Sequence, residues 1–72
     1  MNRFGYSVDR QNGITKWYLN GLYHRALGPA IEDVDGQNWY YNGMRHRVDG
    51  PAITFAYGSK VWYYNGIYVK NT

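Results

Sequence analysis

The residues with the most chemical potential are His46-Arg47-Val48-Asp49. An imidazole beside a carboxylate is the makings of an oriented general base, and the guanidinium between them could hold an anion. His24-Arg25 repeats the first half of this set, but Leu27 stands where the acid would be. The set is thus not kept even within the chain. The two serines, Ser7 and Ser59, lie in other segments without the glycine-flanked elbow a nucleophile uses, and there is no cysteine. The expectation is a protein that is not an enzyme and has no catalytic residue. Asp49 is expected to accept backbone N–H bonds in an Asp-Gly turn. The His-Arg pairs are expected to cover rings or cap loop carbonyls, with Arg stacked on Trp or Tyr.

Metal chemistry is read the same way. Glu32, Asp33 and Asp35 resemble the start of a calcium loop. Such a loop needs a bidentate Glu at its last position, and counting from Asp33 or Asp35 that place falls on Met44 or His46. His24 and His46 supply two ligands, too few for a closed zinc site. No metal and no cofactor is expected.

The elements that carry these residues follow from a repeat. Trp17, Trp39 and Trp62 are 22 and 23 residues apart, and each opens the same phrase: WYLNG at 17–21, WYYNG at 39–43 and WYYNG at 62–66. Two copies continue alike, LYHRALGPAI over 22–31 and MRHRVDGPAI over 44–53. Fixed spacing of this kind marks a repeat architecture. The reading is one domain over 1–72: a leading half-repeat at 6–13, full repeats at about 14–35 and 36–57, and a trailing half-repeat at 58–70.

Glycine recurs every seven or eight residues, from Gly5 to Gly66. That spacing breaks any helix of ordinary length. Asn-Gly at 12, 20, 42 and 65 and Asp-Gly at 35 and 49 favour type I′ turns. The runs between them are rich in Tyr, Trp, Val, Ile and Thr, as short strands are. The expected fold is all-β, an antiparallel meander of short hairpins. Strands are expected to start at Pro29 and Pro51, which lack an N–H and suit strand starts. Strand alternation puts Trp17, Trp39 and Trp62 on one face with Leu19, Tyr41 and Tyr64, and this row with Ile31 and Ile53 is the expected core. Tyr18, Tyr40 and Tyr63 form the opposite, more exposed row.

The phrase W-Y-x-N-G-x-x-H-R-x-x-G-P-A-I resembles the MORN-like repeats of short hypothetical proteins from bacteria, phages and large DNA viruses. The likeness spans about Tyr6 to Tyr68 and is close over Trp39 to Ile53. Leu27 departs from it in the first copy, and Tyr68-Val69-Lys70 replaces the His-Arg region in the last. The resemblance implies an all-β hairpin array with binding and scaffolding roles rather than catalysis. It names no partner, because a fold does not fix a function.

Composition narrows the classes further. The 72 residues include nine Tyr, three Trp and two Phe, with a formal net charge of +3. A nucleic-acid binder shows a denser basic stripe than this. The leader MNRFGYSVDR lacks the apolar core of a signal peptide, and no stretch is apolar enough for a membrane helix. A cytoplasmic protein is expected, in the host cytoplasm if phage-encoded.

The leading functional expectation is a protein-binding module of phage or mobile-element type that captures and inhibits a host protein such as a defence component. Its contact surface would be Tyr18, Tyr23, Tyr40, Arg45 and Tyr63, since Tyr and Arg dominate binding hot spots. The alternative is a nucleic-acid or nucleotide-signal binder, with His24, Arg25, His46 and Arg47 on the anion and the tyrosines stacking on bases. A membrane-surface adaptor is the third class, and the low charge argues against it. Repeat arrays need capped ends. The apolar, uncapped C-terminal half-repeat (Trp62, Tyr64, Ile67, Tyr68) is therefore expected at a homodimer interface.

Overall fold

A computed structural model describes residues 5–72; Arg3, one of the eight Lys and Arg residues, lies outside them. The described chain is all-β and contains no helix. Ten short strands run in chain order: β1 (Tyr6–Gln11), β2 (Ile14–Leu19), β3 (Leu22–Tyr23), β4 (Ile31–Asp33), β5 (Gly36–Asn38), β6 (Tyr40–Tyr41), β7 (Met44–Arg45), β8 (Ile53–Phe55), β9 (Lys60–Tyr64) and β10 (Ile67–Asn71). The sheet runs β1-β2-β4-β5-β8-β9-β10, with β3 also on β2, while β6 and β7 form a separate ribbon. Every pairing is antiparallel. The whole is a flat slab of 39 × 26 × 15 Å.

The turns explain the strand lengths. Asn12, Asn20, Asn42 and Asn65 have φ of 50–53°, and Gly13, Gly21, Gly43 and Gly66 follow at 78–82°. Two successive positive φ values make a type I′ turn, whose twist matches the strands it joins. The two Asp-Gly sites differ from expectation. At the first, the Asp33 carboxylate takes the Asp35 amide at 2.8 Å, and the chain turns through Val34-Asp35 before Gly36 pairs with Asp33. This Asx turn is made by the acid's own side chain, so no Asn-Gly is needed. At the second, Asp49-Gly50 sits in a bend with no positive φ, and Asp49 turns to Arg47 instead of the backbone. The strands after Pro29 and Pro51 begin later than expected, at Ile31 and Ile53.

The copies are joined by one set of bonds used twice. The Gly43 amide donates to the Tyr23 carbonyl at 2.8 Å, and the Arg25 amide to the Tyr40 carbonyl at 3.1 Å. One period on, Gly66 donates to Arg45 at 2.8 Å, and Arg47 to Tyr63 at 3.3 Å. Within each copy the Trp backbone is clamped from both sides. Trp17 N–H donates to Ala30 and its carbonyl accepts from His24; Trp39 does the same with Ala52 and His46.

The core is smaller than the aromatic content suggests. Ala30 and Ala52 are fully buried, with Ile53 and His24 nearly so. Trp17, Trp39 and Trp62 are half-buried, as are Leu19 and Ile31. Tyr41 and Tyr64 were expected inside but are 45% and 52% exposed. Tyr18, Tyr40 and Tyr63 were expected on the more open face but are half-buried. The slab is only 15 Å thick, and few side chains find full cover within it.

Candidate functional site

The histidines lie on the joints between copies. His24 Nδ1 accepts the Asn42 amide at 2.9 Å, and His46 Nδ1 accepts the Asn65 amide at the same distance. An accepting Nδ1 places the ring proton on Nε2. Each imidazole thus pins the Asn-Gly turn of the next copy, satisfying a backbone donor that the turn would otherwise leave open. His46 is not oriented by Asp49. The Asp49 carboxylate bonds Arg47 Nε at 3.1 Å.

The arginines are fixed from three sides. Arg25 lies with its guanidinium carbon 4.1 Å from the Trp17 ring centre, and Arg47 lies 3.9 Å from that of Trp39. Nη1 of each donates to the following proline carbonyl, Pro29 or Pro51, at 3.3 Å. A Cβ on Gly28 would come within 2.8 Å of the Arg25 guanidinium, and one on Gly50 within 2.9 Å of that of Arg47. The glycine therefore lets the backbone close over the cation while the indole supports it from below. Cation–π stacking of this kind suits the flat guanidinium. Lys70 takes the third such place, 4.6 Å from the Trp62 ring.

On one face the tyrosines form a continuous ladder. Tyr18 stacks on Tyr23 with centroids 5.1 Å apart, and Tyr23 meets Tyr40 at 5.2 Å. Arg45 sits between Tyr40 and Tyr63, 5.5 and 5.6 Å from their centres, and Tyr63 meets Tyr68 edge-on at 5.9 Å. The five residues expected to contact a partner are thus brought together in one row, extended by Tyr68. Arg45 Nε is buried without a hydrogen-bond partner. The Tyr18 phenol is held above the ordinary tyrosine range, first by desolvation and then by the Tyr23 phenol beside it. It stays neutral and able both to donate and to accept.

The opposite face carries a second row, alternating Tyr6, His24, Tyr41, His46 and Tyr64, with centroid separations of 6.0, 4.3, 6.0 and 4.6 Å. Beside it a cleft of about 320 Å³ is lined by Arg25, Ala26, Trp39, Tyr41, His46, Arg47, Val48 and Asp49. Three of the four residues considered for an anion therefore line one space. The fourth, His24, is buried and bonded to Asn42. Among the described residues no cluster of three His, Cys, Asp or Glu could hold a metal.

Of the residues expected at a dimer interface, Ile67 and Tyr68 lie on the edge strand β10, and Trp62 and Tyr64 on β9 beside it. Tyr64, Ile67 and Tyr68 are 52%, 69% and 53% exposed, while Trp62 is half-buried beneath Lys70. Sequence reasoning missed the His-to-Asn joint, although its signal was present. Each His precedes the next copy's Asn by a nearly constant interval, 18 and then 19 residues. It also missed Lys70, which stands where the other copies have Arg.

Comparison with models of known families, with curated proteins and with solved structures found no match.

Proposed function

We propose that the chain is a non-enzymatic protein-binding module whose contact surface is the ladder Tyr18-Tyr23-Tyr40-Arg45-Tyr63. The observation that carries this reading is the contiguity of the row: Tyr18, Tyr23 and Tyr40 touch in succession, Arg45 bridges Tyr40 to Tyr63, and Tyr63 meets Tyr68. Rigid aromatic groups offer large contact area at low entropic cost, and Arg adds directed hydrogen bonds. Arg45 is fixed by two rings yet has no acid partner in the described chain, which favours a partner that presents a carboxylate. The resemblance to MORN-like repeats supports binding over catalysis and favours a host protein, such as a defence component, as the target.

A homodimer through β10 belongs to the same reading. The two sheet edges differ in what they present. β1 carries Asp9 and Arg10, charges that discourage edge pairing, whereas Ile67-Tyr68-Val69 of β10 is exposed and uncharged.

The test is affinity capture with the tagged chain, comparing wild type with Tyr40→Ala/Arg45→Ala. The expected result is a specific protein held by wild type and lost by the variant, with unchanged circular dichroism. Retention of that protein by the folded variant would remove the ladder as the contact surface. Capture that collapses with rising salt and depends on nucleic acid would favour the anion-binding alternative.

A further inference from the structure

The cleft between the first and second copies is built by the repeat, but its two cations are not alike. Arg47 has a counter-ion, since its Nε bonds Asp49 at 3.1 Å. Arg25 is held in the same way by Trp17, Pro29 and the bare backbone of Gly28. Leu27, 94% exposed, stands where Asp49 would be. Among the described residues the Arg25 side chain has no carboxylate partner, and its one hydrogen bond goes to Pro29. A guanidinium pinned on three sides keeps its remaining donors in a fixed direction, so little entropy is lost when an anion meets them.

The rest of the lining suits a flat body. Trp39 and Tyr41 present rings, and Ala26 and Val48 present aliphatic carbon. The Trp39 indole N–H is buried and has no hydrogen-bond partner. A buried donor left open is costly. At about 320 Å³ the cleft is at the small end of ligand sites.

We infer that this cleft binds a small anion carrying a planar ring, with its carboxylate or phosphate on Arg25 and its ring against Trp39 and Tyr41. Tyr41 and Tyr40 are successive strand residues on opposite faces. The site is therefore independent of the protein-binding ladder and stands or falls apart from it.

The test is a proton–nitrogen NMR titration of the whole chain, reading the Trp39 indole and Arg25 Nε signals. Phenyl phosphate and benzoate separate the two kinds of anion; inorganic phosphate lacks the ring and benzamide lacks the charge. The expected result is a saturable shift of both signals with phenyl phosphate or benzoate, and much weaker effects from the other two. Leu27→Asp rebuilds the second copy's acid beside Arg25 and should weaken binding roughly threefold to fivefold at low salt. Leu27→Asn, equally small but uncharged, should bind as wild type does. Three results would each overturn the site: no saturable shift with either ring anion, equal affinity for inorganic phosphate, or equal loss in Leu27→Asp and Leu27→Asn. Should Leu27→Asp perturb the fold, Arg25→Gln takes its place. There, retained affinity in a folded chain overturns the site, and lost affinity supports it.

Discussion

Arg25 lies 4.1 Å above Trp17 with no acid beside it among the described residues; Arg47 lies 3.9 Å above Trp39 and also holds Asp49. Tyr23 extends a stack of rings where Arg45 inserts a charge between two. Yet the backbone bonds, the histidine joints and the indole–guanidinium stacks repeat from one copy to the next. The comparison separates two kinds of residue. Those that recur close turns, satisfy turn donors and shield rings. Those that differ set the charge and shape of each face. The copies also differ in burial, since His24 is buried and His46 half-exposed.

The sharpest way to break this comparison is at the two equivalent turn glycines. Gly36 has φ of +146°, and a Cβ there would run into the Thr54 carbonyl; Gly58 has φ of +107° with open space around it. Gly36→Ala should cost more than about 3 kcal/mol, from backbone strain plus a clash that only the backbone can relieve. Gly58→Ala should cost about 1 kcal/mol, from strain alone. A domain this small rarely holds more than about 3–5 kcal/mol. Gly36→Ala should therefore be largely unfolded by circular dichroism, and Gly58→Ala folded.

The histidine joints come next. His24→Ala removes a buried ring and leaves the Asn42 amide without its part-buried acceptor, and should cost about 2–3 kcal/mol in urea unfolding. His46→Ala strands the Asn65 amide where water can reach it and should cost about 1 kcal/mol. Equal losses would show that burial does not set the strength of the joint. The smallest effect is expected at Asp49→Asn. Its carboxylate is 82% exposed, so losing the ion pair with Arg47 should change stability by less than about 0.5 kcal/mol.

Much of this design was legible in the chain. The period, the antiparallel hairpins and the four Asn-Gly turns follow from residue types whose backbone preferences are strong and local. The Asp-Gly turns were misjudged because an Asp side chain has two uses. Asp33 bonds the chain two residues on, and Asp49 is drawn away by a cation. The core was misjudged because alternation tells which residues share a face, not which face is covered. Tyr41 and Tyr64 share a face with the tryptophans, yet only the indoles have a cation laid over them. The close packing within the tyrosine row depends on the register of Tyr18 with Tyr23 and Tyr40 with Arg45, which residue types alone do not give. The cleft was not legible at all, since it joins side chains of two copies across the meander.

Equilibrium urea unfolding of Arg47→Ala beside Arg45→Ala tests the division of labour most directly. The two arginines are two positions apart, and one recurs while the other does not. The account predicts a loss of about 1–1.5 kcal/mol for Arg47→Ala, from its indole stack and its bond to Pro51. It predicts a change within about 0.5 kcal/mol for Arg45→Ala, whose rings lie farther away and can close on each other. A larger loss from Arg45→Ala than from Arg47→Ala would contradict it.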